Sequence, residues 1–325
     1  MFIDRGLTPS RDNGTLAPLG EYDMDFAREL FDSFFGLGTV TSPIYLFVCV
    51  AIAFLIYQTR NEDDGFVAWL VPRHIWTHRS TGLDLVLFAI GRVMSALGLV
   101  TRFTVTPLFA AMFADHLPWN AIDGANLSPI ALGFIFWIAS DFSVYWVHRA
   151  HHQIKTIWPL HAVHHSAEVM TPFTAYRQHP LGLLVIAAIQ TMIMGIVLGI
   201  LIGSLNPDAT TAQIFGVNAF TIVAILLMSN FHHAHINISY GPVLERIFIS
   251  PTMHRVHHST DPAHYNKNYG SFLAIWDWMF GTLYVTKGNE NLTLGLTTKD
   301  DAPLMTHRLG PVLIDPVRRM FRPTR

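Results

Sequence analysis

The residues in this chain most able to do chemistry are its histidines. Fourteen of the 18 lie between His148 and His264. They come in runs, first His148-Arg149-Ala150-His151-His152 and then His161-Ala162-Val163-His164-His165. After a long apolar gap follow His232-His233-Ala234-His235 and His254-Arg255-Val256-His257-His258. On a helix, residues three and four apart share a face. His148 is therefore predicted to point with His151 and His152, His161 with His164 and His165, and His254 with His257 and His258. Such fans of imidazoles point to metal, and imidazole suits zinc, copper, iron and nickel alike. His74, His78, His116 and His307 stand apart and read as ordinary surface or core histidines.

The elements that must position these fans read as membrane helices. The chain is 51% hydrophobic and 14% charged, with mean hydropathy +0.34. A soluble domain carries about 25% charged residues, so the composition is that of a membrane protein. Spans need about 20 mostly apolar residues. Candidates are Ser42 to Tyr57, a long stretch from Leu83 to Phe113 interrupted by Arg92 and Arg102, Leu127 to Val147, Leu181 to Gly203, and Ala212 to Met228. The stretch Leu83 to Phe113 is compatible with a tilted helix, a kinked helix or a re-entrant pair. Gly65 to Ser80 mixes Arg73, His74, Trp76, His78 and Arg79 and reads as interfacial. Phe26 to Phe35 fits either a helix on the membrane surface or one packed on the core, and residues 1–25 lack the layout of a signal peptide. From Lys287 onward, Pro303, Pro311, Pro316 and Pro323 argue against a long regular element.

The last two spans are separated by the turn-forming Ser204 to Thr211. Two crossings return the chain to the side it left, which places His232 to His258 on the same face as His148 to His179. That face carries Arg149, Lys155, Arg177, Arg246, Arg255 and Lys267, so the positive-inside rule makes it cytoplasmic. The expectation is an all-α polytopic bundle of about four to six spans with a histidine-rich helical cap. The net charge of −2, with no long run of one sign, gives nucleic-acid binding no support. Cys49 is the single cysteine, which excludes internal disulfides and thiolate metal sites in this chain.

This pattern resembles the integral-membrane fatty acid hydroxylase/sterol desaturase superfamily, whose members carry H-x3-H, H-x2-H-H and a second H-x2-H-H box. Here those are His148 to His152, His161 to His165 and His254 to His258. The resemblance runs from about Asp141 to Tyr284. Thr171-Pro172-Phe173, His179-Pro180, Asn268-Tyr269-Gly270, Trp276-Asp277 and Phe280-Gly281-Thr282 support it. Ala175-Tyr176-Arg177-Gln178, following His164-His165-Ser166-Ala167-Glu168, is similar to the alkylglycerol monooxygenase branch. The resemblance implies a fatty acid hydroxylase-like catalytic domain over 127–285. It is preceded by a polar and interfacial segment over 1–40 and spans over 41–126, and followed by a tail over 286–325.

The resemblance further implies two iron ions and dioxygen acting on a membrane lipid: a fatty acyl chain, a polar lipid or a sterol. The implied ligands are His148, His152, His161, His164, His165, His233, His254, His257 and His258. His151, His232, His235, His179 and His264 are candidates for ligation or for support of the ligands. Asp141, Glu168 and Asp277 are candidate acceptors for imidazole N–H groups. Phe142, Tyr145, Trp146, Trp158, Phe173 and Tyr176 are candidates for a lipid entrance. The chain has no dinucleotide fingerprint, and His179-Pro180-Leu181-Gly182 departs from the His-Pro-Gly-Gly signature of a fused haem domain. Electrons are therefore expected from a separate reductase, ferredoxin or small haem protein, or from a reduced pterin.

Hydroxylation is the expected reaction, with desaturation on the same site or pterin-dependent cleavage of ether lipids as alternatives. A membrane haem protein or a zinc-binding protein are the non-enzymatic alternatives. The membrane would be the inner membrane of a bacterium or the endoplasmic reticulum of a eukaryote. The sequence leaves oligomeric state open.

Overall fold

The computed structural model describes residues 19–36, 39, 41–100, 105–116, 128–205, 220, 223–224, 230–288 and 290–321. These residues are helical with irregular connections. Two isolated bridges, Phe248 with Leu273 and Ser259 with Leu294, are the only β pairing among them. In order the helices are α1 (Leu19–Phe35), α2 (Pro43–Gln58), α3 (Phe66–Leu70), α4 (Arg73–Trp76), α5 (Arg79–Ala96), α6 (Thr106–His116) and α7 (Pro129–Gln153). After these come α8 (Trp158–His165), α9 (Pro180–Leu205), α10 (Asn230–His232), α11 (Gly241–Leu244), α12 (Pro251–His257), α13 (Ile275–Met279) and α14 (Leu309–Met320).

Among the described residues one helical stretch, the 21 residues Pro180–Ile200 of α9, is long and apolar enough to cross a membrane. The apolar α2 is shorter, at 16 residues. The stretch from Leu83 to Phe113 is two helices, because α5 stops at Ala96 and α6 starts at Thr106. Arg92 is accommodated by packing: its guanidinium lies 4.8 Å from the centre of the Tyr176 ring and donates to the Ser33 carbonyl at 3.1 Å. The latter bond ties α1 to α5, and Phe34 packs edge-on against Phe88 at 5.3 Å. Helix α1 thus packs on the protein through this face. Arg102 and most of the candidate span Ala212 to Met228 lie outside the described residues.

Small residues allow α6 to lie directly on α9. A Cβ on Gly195 would come within 2.7 Å of the Thr106 carbonyl oxygen, and one on Gly199 within 2.5 Å of that of Ala110. Glycines four apart let two backbones approach in this way. Thr106 Oγ1 also donates to the Thr191 carbonyl at 3.0 Å.

The C-terminal helix departs from the proline-based expectation. Pro311 falls in the first turn of α14, where N–H groups have no intrahelical partner, so its missing donor costs little. Pro316 does interrupt the ladder, but it and Val312 are buried. Val312 joins a core with Leu83, Leu87, Ala162, Val163 and Leu304. Packing against α5 and α8 therefore offsets the lost bond. The helix is also pinned by the Arg319–Asp301 ion pair at 2.7 Å.

Candidate metal centre

Helix α7 is about 37 Å long, at 1.5 Å per residue over 25 residues. Its apolar half begins at the cap of Ser128, which accepts from Ala131 N–H. Its last turns carry His148, His151 and His152. Helix α8 is almost wholly buried and presents His161, His164 and His165. Helix α12 starts at Ser250, whose hydroxyl accepts from Met253 N–H at 3.1 Å, and presents His254 and His257, with His258 at its C-cap. His233 arrives from the end of α10.

These side chains assemble into two groups. His148, His152, His161, His165 and His257 form one, and His164, His233, His254 and His258 form the other. Within each group one ring nitrogen per residue lies within 4.8 Å of all the others. The fans expected from helical spacing are split. His161 and His165 go to the first group and His164 to the second, while His254 and His258 go to the second and His257 to the first. A helix turns about 100° per residue, so neighbouring histidines diverge while the i, i+4 pair stays together. Each H-x-x-H-H box thus spans both groups, in opposite proportions. His165 and His258 stack across the boundary with ring centres 4.3 Å apart.

The nitrogens converge at spacings that fit a shared cation. Nε2 of His254 lies 2.8 Å from Nε2 of His233 and 3.2 Å from that of His258, and Nε2 of His233 lies 3.2 Å from that of His164. In the first group Nε2 of His152 and His165 are 3.1 Å apart. Two nitrogens bound about 2.1 Å from one ion are separated by roughly 3.0–3.4 Å for right-angle to tetrahedral geometry. Nε2 of His148 and His257 and both ring nitrogens of His161 are buried without a hydrogen-bond partner. A metal ion in each group would satisfy these atoms, so the residues fit the group that the sequence implied. Burial first, and then mutual repulsion, holds His161, His164, His165, His254 and His258 well below the usual imidazole value. Burial takes His257 to about 4. All six are thus neutral at pH 7, as ligation requires.

The loop after α12 sets two of the ring orientations. His148 Nδ1–H donates to the Tyr269 carbonyl at 2.8 Å, and His257 Nδ1–H to the Lys267 carbonyl at 2.7 Å. Each bond fixes the tautomer that leaves Nε2 free for metal. Asn266 and Asn268 flank Lys267 with φ of 58° and 55°, a left-handed conformation that asparagine tolerates. Asn268 is locked by bonds to the Met253 and Tyr284 carbonyls. Gly270 admits no side chain, because a Cβ would sit 2.5 Å from the Leu273 carbonyl oxygen and 3.0 Å from Asp277 Oδ2.

The candidate acidic residues bond elsewhere than to imidazoles of the groups. Asp277 accepts from Tyr269 N–H, Gly270 N–H and Thr282 Oγ1–H at 2.8, 2.7 and 2.6 Å, so it shapes the loop that holds His148. Asp141 accepts from the backbone N–H of Phe272 and Leu273 and from the Trp276 indole. Glu168 accepts from His307. His307, expected to be an ordinary histidine, also accepts from Arg177 at 2.9 Å, and the fully buried Arg177 pairs with Asp84 at 2.7 Å. Glu245 was not foreseen. It is fully buried and accepts from the hydroxyls of Ser239, Ser250 and Thr286, and it braces the cap of α12. An isolated glutamate with no histidine neighbour gave no signal in the sequence.

The remaining candidate histidines lie outside both groups. His151, His232, His179 and His235 donate to the carbonyls of Val147, Ile249, Leu313 and Trp69. His264 packs against the Tyr284 ring. Of the candidate entrance aromatics, Trp158 touches the site, with its ring centre 5.0 Å from that of His152. Tyr145 is fully buried beside Thr282, and Phe173 packs on Phe88. A cavity of about 260 Å³ opens onto both groups, reaching His148 and His161 of the first and His164 and His233 of the second.

Residues 133–282 match the model of the fatty acid hydroxylase family. The chain is 32% identical over 185 residues to an alkylglycerol monooxygenase of Danio rerio, covering 56% of this chain and 35% of that protein. It is 31% identical over 170 residues to an ornithine lipid hydroxylase of Rhizobium tropici, covering 52% and 46%. It is 29% identical over 162 residues to a Delta(7)-sterol-C5(6)-desaturase of Nicotiana tabacum, covering 48% and 51%. The matches thus span between about a third and a half of the length of these relatives. No solved structure matches the chain.

Proposed function

Because residues 133–282 carry the fatty acid hydroxylase family pattern, we propose that this chain is a membrane-bound di-iron monooxygenase that hydroxylates a C–H bond of a lipid. One oxygen atom of O2 enters the C–H bond. The other leaves as water, with two electrons and two protons drawn from an external donor. The single observation that carries this reading is the sorting of nine histidines, seven of them buried and His148 and His152 half-buried, into two adjacent all-imidazole groups that share one cavity.

Two iron ions in these groups would supply the redox capacity to use dioxygen against an unreactive C–H bond, which zinc lacks. The chain's own residues prepare the site. The carbonyls of Tyr269 and Lys267 hold His148 and His257 in the ligating tautomer. Trp158 backs His152 and His165. The apolar α9 leads from the cavity wall at Ile186 into the bilayer, a route by which a lipid reaches the histidines without crossing water. Basic residues on the histidine side support a cytoplasmic orientation.

A second reading, cleavage of ether lipids with a reduced pterin as electron donor, is favoured by the match to alkylglycerol monooxygenase. The match to a sterol desaturase keeps double-bond formation in view. Elemental analysis of the detergent-purified protein beside a His164→Ala/His257→Ala variant tests the core of the proposal. About two irons per chain, falling to about one or fewer in the variant, support it. A screen of lipids under labelled dioxygen then separates hydroxylation, which retains label in the product, from desaturation, which does not. Added tetrahydropterin separates the pterin-dependent reaction. Absence of bound metal, with the variant unchanged, overturns the reading.

A further inference from the structure

The cavity shared by the two histidine groups contains more than imidazoles and apolar side chains. Gln178, just before α9, and Gln190, within it, both line this space, as does Ser271. Among the described residues neither carboxamide makes a side-chain hydrogen bond within the protein; the one bond of Gln178 is from its backbone N–H to the Tyr176 carbonyl. Gln190 is the more telling. It lies ten residues into the apolar stretch Pro180–Ile200, about 15 Å along the helix axis from Pro180. Gln190 is half-buried and lines the cavity beside the histidines, and polar side chains inside membrane helices mark functional paths. From α9 the cavity is lined by Ile186 and, one turn further, by Gln190, where a leucine or isoleucine would keep the helix uniformly apolar.

We propose that Gln178 and Gln190 form a polar subsite for a hydrogen-bonding oxygen function of the lipid substrate: a hydroxyl, an ether or a carbonyl. This rests on the reading of the site as a lipid oxygenase. The cavity's size adds a constraint. At about 260 Å³ and open to its surroundings, the cavity takes in only one region of a lipid. The carbon presented to the histidines and the oxygen held by the amides must therefore lie within a few bonds of each other. The subsite selects an oxygen-bearing region of a lipid and disfavours the middle of a plain hydrocarbon chain. A carboxamide can both donate and accept, so it suits hydroxyl and ether oxygens equally well.

The test is binding to the zinc-loaded full-length protein in detergent, where no oxidation occurs. The probes are 1-O-hexadecylglycerol, methyl palmitate and hexadecane. Wild type is expected to bind one or both oxygenated lipids at least tenfold more tightly than hexadecane. Gln190→Met and Gln178→Met, which keep length and lose the amide, should each reduce that preference about five- to tenfold. Retention of zinc reports that the fold survives, and Gln190→Asn serves as a milder second variant. Equal binding of hexadecane and the oxygenated lipids by wild type overturns the proposal without any variant. So does an unchanged preference in both methionine variants, which would mean that the amides hold water alone. An iron-loaded enzyme that oxidises no lipid, beside an intact glutamine-dependent preference, would refute the oxygenase reading and leave the subsite standing. Lipid oxidation with no such preference would do the reverse.

Discussion

Adjacent histidines that fall in different groups make a sharp prediction on the proposed reading. His164 and His165 are neighbours in sequence, yet His164 belongs to the group with His233, His254 and His258, and His165 to the group with His148, His152, His161 and His257. His164→Ala leaves three donors in a four-donor group, whereas His165→Ala leaves four in a five-donor group. A four-ligand structural zinc site is worth about 10–16 kcal/mol, so each donor contributes roughly 3–4 kcal/mol, or about 10²- to 10³-fold in affinity. His164→Ala is therefore expected to release one ion at chelator concentrations 10²- to 10³-fold lower than wild type needs, and to purify with about one iron per chain. His165→Ala weakens the other ion by a similar factor from a higher starting point, and keeps both ions under mild conditions. The assay is iron per chain during chelator titration, with Mössbauer spectra of the iron that remains. The residual iron of His164→Ala should match that of His254→Ala and differ from that left in His165→Ala after chelation. If His164→Ala and His165→Ala release the same ion, with identical residual spectra, the two-group assignment is wrong.

Three further outcomes follow from the surrounding structure. Asp277→Asn replaces one of two accepting oxygens with an NH2 that faces the Gly270 N–H; the cost is about 1–3 kcal/mol, and ion retention should fall through the His148 bond to Tyr269, as thermal unfolding and metal analysis would register. Gly199→Ala should lower the thermal midpoint by driving α6 from α9, at a cost of about 1–3 kcal/mol, while Gly91→Ala, whose Cβ would meet Leu183 at an ordinary 3.6 Å, should not; equal effects would refute the close-packing argument. The metal-free protein should lose stability on acidification, because its buried histidines have folded-state values below the unfolded value of about 6.5. The unfolded chain then binds more protons, so stability is fully present above about 6.5 and is lost as pH falls toward about 4 for His257, by about 1.4 kcal/mol per pH unit for each histidine that stays neutral. A midpoint flat between pH 7 and pH 5 would contradict this.

The clustering of the histidines was legible in the sequence, since histidine spacing is a local property. Runs at i, i+3 and i+4 state which residues a helix can present together, and all nine candidate ligands fall in the two groups. Spacing within one helix cannot state which group each residue joins, because that depends on where α8 and α12 stand relative to each other. The split of His164 from His165 is a tertiary fact. The break between α5 and α6 was equally out of reach, since an apolar stretch reads alike whether straight or folded back. Gly195 and Gly199, four apart in an apolar helix, were a readable signal of close packing. The support from Asn266, Asn268 and Gly270 needed the structure, because left-handed turns and carbonyl directions leave only a faint trace in composition. In the tail, counting prolines misled where position decided, as Pro311 in a first turn breaks nothing.

The acidic residues show why the histidines stand alone as donors. Asp141, Asp277 and Glu245 are all buried close to the helices that carry the ligands, and each is taken up by backbone amides or hydroxyls. Glu168 is engaged with His307 at the far side of Arg177. The carboxylates thus fix loops and caps, and neither group of ligands includes one. Neutral imidazoles leave the charge of bound cations uncompensated, and in a buried site such charge acts over a low effective dielectric. The positive potential would then fall on the cavity that opens onto both groups and that Gln178 and Gln190 also reach. An oxygen-rich occupant is what such a cavity attracts, by charge from the histidine side and by hydrogen bonds from the glutamine side. Introducing a carboxylate there tests this directly. Gln190→Glu should reduce the binding of neutral oxygenated lipids and raise metal affinity by bringing an anion toward the ions. Unchanged lipid and metal affinities would show that the field of the two groups does not reach α9.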